Sequence, residues 1–390
     1  MGPFKPAIAG DGFAVRLSAF YAALFVTLGI QMPFLPVWLA AKGLDANAIG
    51  IVLAAPLILR MVTVPLVTGA ADRWGALRGV LIMATATATA GYALLGLTAG
   101  FWPILAMMAF ASAGFTSTFP LVDAYALKGL ASRMRSYGSV RLWGSGAFIL
   151  GSLGAGSMAD LIPATDLIWL MVAASGVMVA ASVCLQPMTT GTPAPSPGAN
   201  LALLRSPAFL AIAAAASLIQ ASHALYYGFS TLDWTAAGFD GSAIGSLWAI
   251  GVIAEIILFA VSGRLPAAFN PAVLLALGAA GAVVRWSVMA LNPPIIVLPL
   301  LQCLHGLSFG ATHLGAVQFI AHAAPERLGA TAQGHLAIIL GAVMAAFMAL
   351  SGVLYGAYGA RAYAVMAAVA LIGGMLALVA RRLWRSDALG

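Results

Sequence analysis

The sequence predicts an all-α integral membrane protein with twelve transmembrane helices in two six-helix bundles. Three observations carry this. Of the 390 residues, 62% are hydrophobic and only 7% are charged, whereas a soluble domain carries roughly 25% charged residues. At roughly 20 apolar residues per membrane helix, the hydrophobic residues supply about twelve spans and leave little for an extramembrane domain. A proline-rich stretch, Pro187–Asn200, interrupts the apolar runs at the midpoint. This composition excludes a soluble enzyme and a nucleic-acid binder. The runs do not alternate, which excludes a β-barrel.

Apolar runs bounded by Gly, Pro or charge place the spans at 13–40, 47–69, 78–99, 101–127, 137–159, 165–186, 207–233, 242–263, 270–291, 295–321, 331–356 and 361–382. The first run follows a basic start (Lys5, Arg16) and so mimics a signal peptide. No clear small-residue cleavage site ends it, and it is read as a retained span. The bundles are residues 1–186 and 207–390, joined by a cytoplasmic linker over 187–206. With both termini in the cytoplasm, fourteen of the 18 Lys and Arg fall on the cytoplasmic side. Two (Lys42, Arg361) fall on the far side, and Arg60 and Arg285 lie within spans. That asymmetry is what membrane insertion selects, and it accounts for the formal charge of +7 without a polyanionic partner. The expected location is the inner cell membrane, and the expected state a monomer. Cys184 and Cys303 both lie in apolar segments and build neither a disulfide framework nor a metal cluster. No cofactor or metal is expected.

The halves repeat one another. Trp38-Leu-Ala-Ala precedes Ala48-Ile-Gly50, and Trp234-Thr-Ala-Ala precedes Ala243-Ile-Gly245; each following span ends in a hydroxyl residue and Gly. Internal repeats of this kind mark secondary transporters, in which two similar bundles rock about a site between them. The repeat sets Arg60 opposite Glu255, mid-span in both copies.

Ionisable side chains within spans are costly and face a polar cavity or a partner. Asp123 lies late in the fourth span and Arg141 early in the fifth, at one depth on antiparallel neighbours. Glu255 lies in the eighth span, Arg285 in the ninth, and His305 and His313 in the tenth. A carboxylate whose pairing with Arg changes during transport binds or releases a proton. Glu255, Asp123, His313 and His305 are therefore the candidate proton-coupling residues, and Arg285 and Arg141 the candidate carboxylate partners or substrate contacts. In the seventh span Gln220, His223, Tyr227, Ser230 and Trp234 share one helical face. Phe20, Thr27, Gln31, Phe34 and Trp38 share another in the first. Gln31, Tyr227, Gln220 and His223 are expected to line a cavity; Trp38 and Trp234 also suit an interfacial belt.

Between the second and third spans stands Gly69-Ala-Ala-Asp72-Arg73-Trp-Gly75-Ala-Leu-Arg78. This segment resembles the loop motif of the major facilitator superfamily, which makes Asp72, Arg73 and Gly75 gating-loop candidates and implies the major facilitator fold. Leu121-Val-Asp123 through Arg141-Leu-Trp-Gly144 resembles the fourth-to-fifth helix region of the lactose permease and its proton-symporting relatives. There an acid and an arginine at this separation contribute to substrate binding. Glu255, Arg285 and one of His305 or His313 match that group's polar core helix by helix. The acid which the sugar permease carries after its histidine has no counterpart here. Ala221–Ser230 through Gly245–Glu255 is similar to the phenylpropionate permease branch. That resemblance implies proton-coupled uptake of an aromatic monocarboxylate such as 3-phenylpropionate, the alternative being an oligosaccharide or a nucleoside. The expected partners are this substrate, the proton and the lipid bilayer.

A rival class comes from Gly306-Leu-Ser308-Phe-Gly310, which fits the G-x-S-x-G nucleophile motif of hydrolases. Its strand–turn–helix context is missing, and glycines in membrane helices serve close packing. The chain is expected not to be an enzyme. No G-x-x-x-x-G-K-[ST] loop is present, which argues against ATP-driven pumping.

Overall fold

A computed structural model of the chain describes residues 12–131, 133–134, 137–188, 206–266, 268–323 and 329–384. Most of the expected linker (189–205), and Lys5, Arg135, Arg205, Arg327 and Arg385, lie outside them.

The described chain is almost entirely helical, because in lipid each backbone N–H and C=O must find its partner within its own segment. Helices α1 (Phe13–Ala41), α2 (Ala46–Trp74), α3 (Leu77–Gly96), α4 (Phe101–Ala131), α5 (Tyr137–Ala159) and α6 (Leu167–Val183) pack mainly on one another. So do α7 (Pro207–Ala221), α8 (Ala224–Ala236), α9 (Gly241–Ser262), α10 (Pro271–Met289), α11 (Leu298–Cys303), α12 (Thr312–Ala323), α13 (Gly329–Tyr358) and α14 (Tyr363–Trp384). Among the described residues, nine helical stretches are long and apolar enough to cross a membrane. Large apolar side chains such as Leu150, Val177 and Leu300 stand exposed on the outside, as lipid-facing surface requires. The fold is an all-α, multi-pass membrane fold.

Two expected spans are broken. The run read as one helix over 207–233 forms α7 and α8, with Ser222 and His223 between them. Both residues turn to the backbone. The Ser222 hydroxyl donates to the Ile219 carbonyl at 2.6 Å, and His223 Nδ1 lies 3.2 and 3.1 Å from the carbonyls of Ile219 and Gln220. Side chains that bond local backbone compete with the helical ladder. The run expected at 295–321 becomes α11, a π-helical turn over Gly306–Ala311, and α12. Single π-helical turns recur at functional sites.

The sequence repeat has a structural meaning. α2 and α9 open alike: Asp45 accepts the Ala48 N–H at 2.8 Å, and Asp240 accepts the Ala243 N–H at 2.6 Å. These are N-caps. Five residues after each cap, Gly50 and Gly245 lie against the other set of helices. A Cβ on Gly50 would sit 2.9 Å from Gly352 Cα on α13, and one on Gly245 would overlap the Ser152 carbonyl on α5. These crossings, α2 with α13 and α5 with α9, join the two sets at the end opposite Phe13 and Trp384.

That end carries a further bond between the sets. Asp160, just past α5, accepts the N–H groups of Gly241 and Ser242 at 2.6 and 3.0 Å and the Ser242 hydroxyl at 2.9 Å. A carboxylate of one set thus caps a helix of the other. The Gly241 N–H above all, helped by the Ser242 hydroxyl and N–H, holds the Asp160 carboxyl below the usual carboxylate range against the opposing effect of burial. The positive end of the α9 dipole acts in the same sense.

Trp38 and Trp234 are buried. The Trp38 indole N–H donates to the Thr165 carbonyl at 2.9 Å, so it is a packing residue and not part of an interfacial belt.

Candidate functional site

The second set of helices encloses a charged network built on Arg285. This residue lies near the C-terminal end of α10 and is wholly buried. A buried guanidinium is costly unless hydrogen-bonded. Its Nη2 donates to Gln302 Oε1 at 2.5 Å, and its Nη1 to His305 Nδ1 at 3.0 Å and Ser308 Oγ at 3.5 Å. The rings of Tyr226 and Trp286 cover its faces, 4.4 and 4.6 Å from Cζ, at cation–π distance.

Arginine only donates and a carbonyl only accepts, and together they assign the protons of both histidines. His305 Nδ1 must be the acceptor, so its proton sits on Nε2, which lies 3.8 Å from Glu255 Oε2. His223 Nδ1 faces two carbonyls and must carry the proton. Its Nε2 then accepts from Ser308 Oγ at 3.0 Å. The two histidines are therefore held in opposite tautomers, His305 by Arg285 and His223 by the carbonyls of Ile219 and Gln220, and Ser308 joins His223 to the arginine.

Glu255 is the part of this network nearest to open space, its side chain 24% exposed against 10% for His305. It also lies within electrostatic reach of Arg141 on α5, so the site extends to the first set of helices. An aromatic wall adjoins it. Trp248 lies 4.7 Å from Tyr226 and 6.2 Å from Tyr227, ring centre to ring centre, and Phe309 stacks on His305 at 5.2 Å.

The first set holds a smaller polar group. Asp123 accepts the hydroxyls of Tyr21 at 2.6 Å and Tyr137 at 2.8 Å. The expected Asp123–Arg141 partnership is not an ion pair among the described residues. Arg141 lies over Phe25 at 4.1 Å and Tyr21 at 5.7 Å. The tyrosine hydroxyls reach the carboxylate first, which leaves the arginine on aromatic faces and near Glu255. Gln31 accepts the Tyr92 hydroxyl at 3.0 Å.

The structure therefore brings together Glu255, His305, Arg285, His223, Tyr227 and, from across the gap, Arg141. Gln220 is buried and reaches the Phe309 carbonyl at 3.4 Å. His313 stands apart on an exposed face beside Phe259 and Phe309. Arg60 is exposed on α2 near Gly341. In the loop after α2, Gly75 ends the helix at φ +58° with its N–H on the carbonyls of Ala71 and Asp72, a left-handed turn that favours glycine. Arg73 Nε bonds the Gly69 carbonyl, and Arg78 the Val183 carbonyl. Among the described residues no group of three or more His, Cys, Asp or Glu is placed to hold a metal.

Sequence reasoning missed Gln302, Tyr226, Trp286, Tyr21, Tyr137 and Asp160. Ser308 drew notice only through its flanking glycines. It is wholly buried, within a π-helical turn, bonded to His223 and Arg285. A strand–turn–helix nucleophile elbow is not its setting.

Helices with apolar outer faces and a charged network reached from both sets define a multi-pass membrane transporter. The chain belongs to the MFS_1 like family, which its residues 14–365 match. It is a secondary transporter of a small organic molecule and not an enzyme. A relative from Escherichia coli (strain K12), the "Probable 3-phenylpropionic acid transporter", is 33% identical over 361 residues, 90% of this chain and 93% of that one. The "Maltose permease" of Geobacillus stearothermophilus is 27% identical over 318 residues, 80% of each chain. Among solved structures, the nucleoside transporter NupG superposes with a TM-score of 0.82 at 15% identity, over 95% of this chain and 99% of that one. A bacterial homologue of the human lysosomal transporter Spinster, inward-facing and occupied, gives 0.76 at 13% identity, over 98% and 100%. These two likenesses concern the fold alone.

Proposed function

We propose that this protein is a proton symporter that takes up an aromatic monocarboxylate, with 3-phenylpropionate as the compound to test first. In this reading residues 1–186 and 207–390 are two six-helix bundles, joined through 187–206, in the inner membrane of the cell. The termini are cytoplasmic and the unit is a monomer. The observation that carries the reading is the buried Arg285, sandwiched between aromatic rings and joined through His305 to Glu255. A carboxylate pairs with arginine, an aryl ring fits an aromatic wall, and a neighbouring acid can bind and release the accompanying proton. The name of the E. coli relative points to the same substrate class. A neutral sugar or nucleoside, as the names of the maltose and NupG relatives would suggest, has no use for a guanidinium kept free of carboxylate partners.

Arg285 and Arg141 are assigned to the substrate, Glu255 and His305 to the proton, and Tyr227, His223, Gln220 and Gln31 to the cavity wall. Asp123 and His313 are weaker members of the proton set, and Asp72, Arg73 and Gly75 act in gating. The test is uptake by liposomes under an imposed pH gradient, offering 3-phenylpropionate, maltose and uridine. Saturable entry of the acid with co-directional proton movement is expected. E255Q is expected to abolish gradient-driven accumulation while retaining substrate exchange. Unchanged accumulation by E255Q, or preference for a neutral compound, would overturn the reading.

A further inference from the structure

A guanidinium offers two paired edges: end-on, with Nη1 and Nη2, and side-on, with Nη2 and Nε. In Arg285 the Nη1 corner is taken by His305 and Ser308. On the side-on edge Nη2 meets a single amide oxygen, Gln302 Oε1, while Nε has no hydrogen-bond partner. Tyr226 bears on the guanidinium through its ring, through its charge interaction and through a side-chain hydrogen bond, yet Nε itself has no partner at hydrogen-bond geometry. The bond to Arg285 also assigns the Gln302 amide: the oxygen faces the arginine, and the nitrogen is left without a partner. Arg285 and Gln302 are both 0% exposed. Two neighbouring buried donors are thus unmatched in one hydrogen-bonded pair. Buried donors are otherwise almost always paired.

We propose that Gln302 is the specificity-determining residue of the site: its amide oxygen stands on half of the side-on edge of Arg285 that a substrate carboxylate takes in full. The proposal rests on the reading of Arg285 as the carboxylate contact. A carboxylate has two oxygens spaced for two parallel N–H donors. It displaces one neutral oxygen from Nη2, pairs Nε as well, and leaves the released amide free to turn an N–H toward it. Nη1 keeps its bonds, so the connection to His305 and Glu255 persists with substrate bound. A glutamine suits this because it compensates the arginine without a charge and can be displaced. A glutamate would hold Arg285 in a permanent ion pair and reject the incoming anion. A leucine of similar size would leave the edge free.

The experiment is binding of 3-phenylpropionate to purified wild type, Q302E and Q302L, with the thermal midpoint of each variant as a readout of folding. The charges and titratable groups around position 302 are Arg285 on α10, Glu255 on α9, His305 and His223, with Tyr226 and Tyr363 behind. All of them are unchanged in both variants. Q302E is expected to lose at least about tenfold in affinity, since like charges brought together cost that much or more. Q302L is expected to stay within about threefold, a smaller change than a lost charge-assisted bond would give. A merely structural role predicts that both variants fail alike. Equal losses in both, an unfolded Q302L, or a Q302E that binds like wild type would overturn the assignment. Wild type that binds no 3-phenylpropionate would instead refute the reading of Arg285 on which the assignment rests.

Discussion

Replacing Asp160 by Ala is expected to loosen the end of the molecule where α5 meets α9. The side chain makes three bonds to α9, to the Gly241 and Ser242 N–H groups and the Ser242 hydroxyl. Removing an N-capping acceptor costs roughly 0.5–2 kcal/mol. Asp160 is exposed, and solvent screening places the loss near the lower part of that range, about 1 kcal/mol. That corresponds to about a fivefold shift of the closed-to-open ratio at this end. D160N is expected to fall between, because its amide keeps one acceptor oxygen for the Gly241 N–H and has no second acceptor for the Ser242 N–H. The folded carboxyl titrates below its usual range, chiefly through the Gly241 N–H. Its contribution is therefore full above the usual carboxylate pKa and is lost as pH falls through the depressed value. D160A should differ from wild type equally at pH 6 and pH 8, and less only in strong acid. The assay is spin-label distance measurement between cysteines at Leu161 and Thr235, both exposed, with Cys184 and Cys303 replaced by Ser. Identical distance populations for D160A and wild type at neutral pH would refute the reasoning.

G245V is expected to abolish transport while the protein still inserts, because the added Cβ meets the Ser152 carbonyl; normal uptake by G245V would show that the α5–α9 crossing is not needed. Y21F is expected to lower thermal stability by about 1 kcal/mol, the net worth of a typical hydrogen bond. The double variant Y21F/Y137F should lose more than the two singles together, since it leaves the Asp123 carboxylate with neither hydroxyl. Strict additivity in thermal unfolding would argue that Asp123 finds another donor.

The spans could be read from the sequence because lipid leaves the backbone one choice over each apolar run. What decided the site was less visible. The overall hydropathy of the two runs does not locate the breaks at Ser222–His223 and Leu304–His305: at the first, side chains bond carbonyls of the preceding turn, and at the second His305 meets Arg285 of α10. Asp123 and Arg141 looked paired by spacing, yet Tyr21, more than a hundred residues earlier, supplies one of the bonds to the acid. Gln302 was one polar residue in an apolar stretch, and only its position against Arg285 gives it meaning. The Ala-Ile-Gly repeat was legible as a pattern. That its glycines are crossing points between the two sets of helices required coordinates.

Those crossing points also tie the two ends of the molecule together. On α5, Arg141 precedes Ser152 by eleven residues; on α9, Glu255 follows Gly245 by ten. At 1.5 Å per residue both charges ride about 15 Å from the crossing, half of a hydrocarbon core roughly 30 Å thick. Asp160 lies eight residues beyond Ser152 on the opposite side, about 12 Å from the same point by the same rise. α5 and α9 touch at Ser152–Gly245 and again at Gly156–Gly241, so the contact runs from the crossing to the Asp160 cap. Under the function proposed above, α9 carries the cap, the crossing and the carboxylate on one helix, and D160A is expected to alter proton-driven uptake as well as the spin-label distances. D160A that opens the far end yet transports like wild type would refute this link between the two ends.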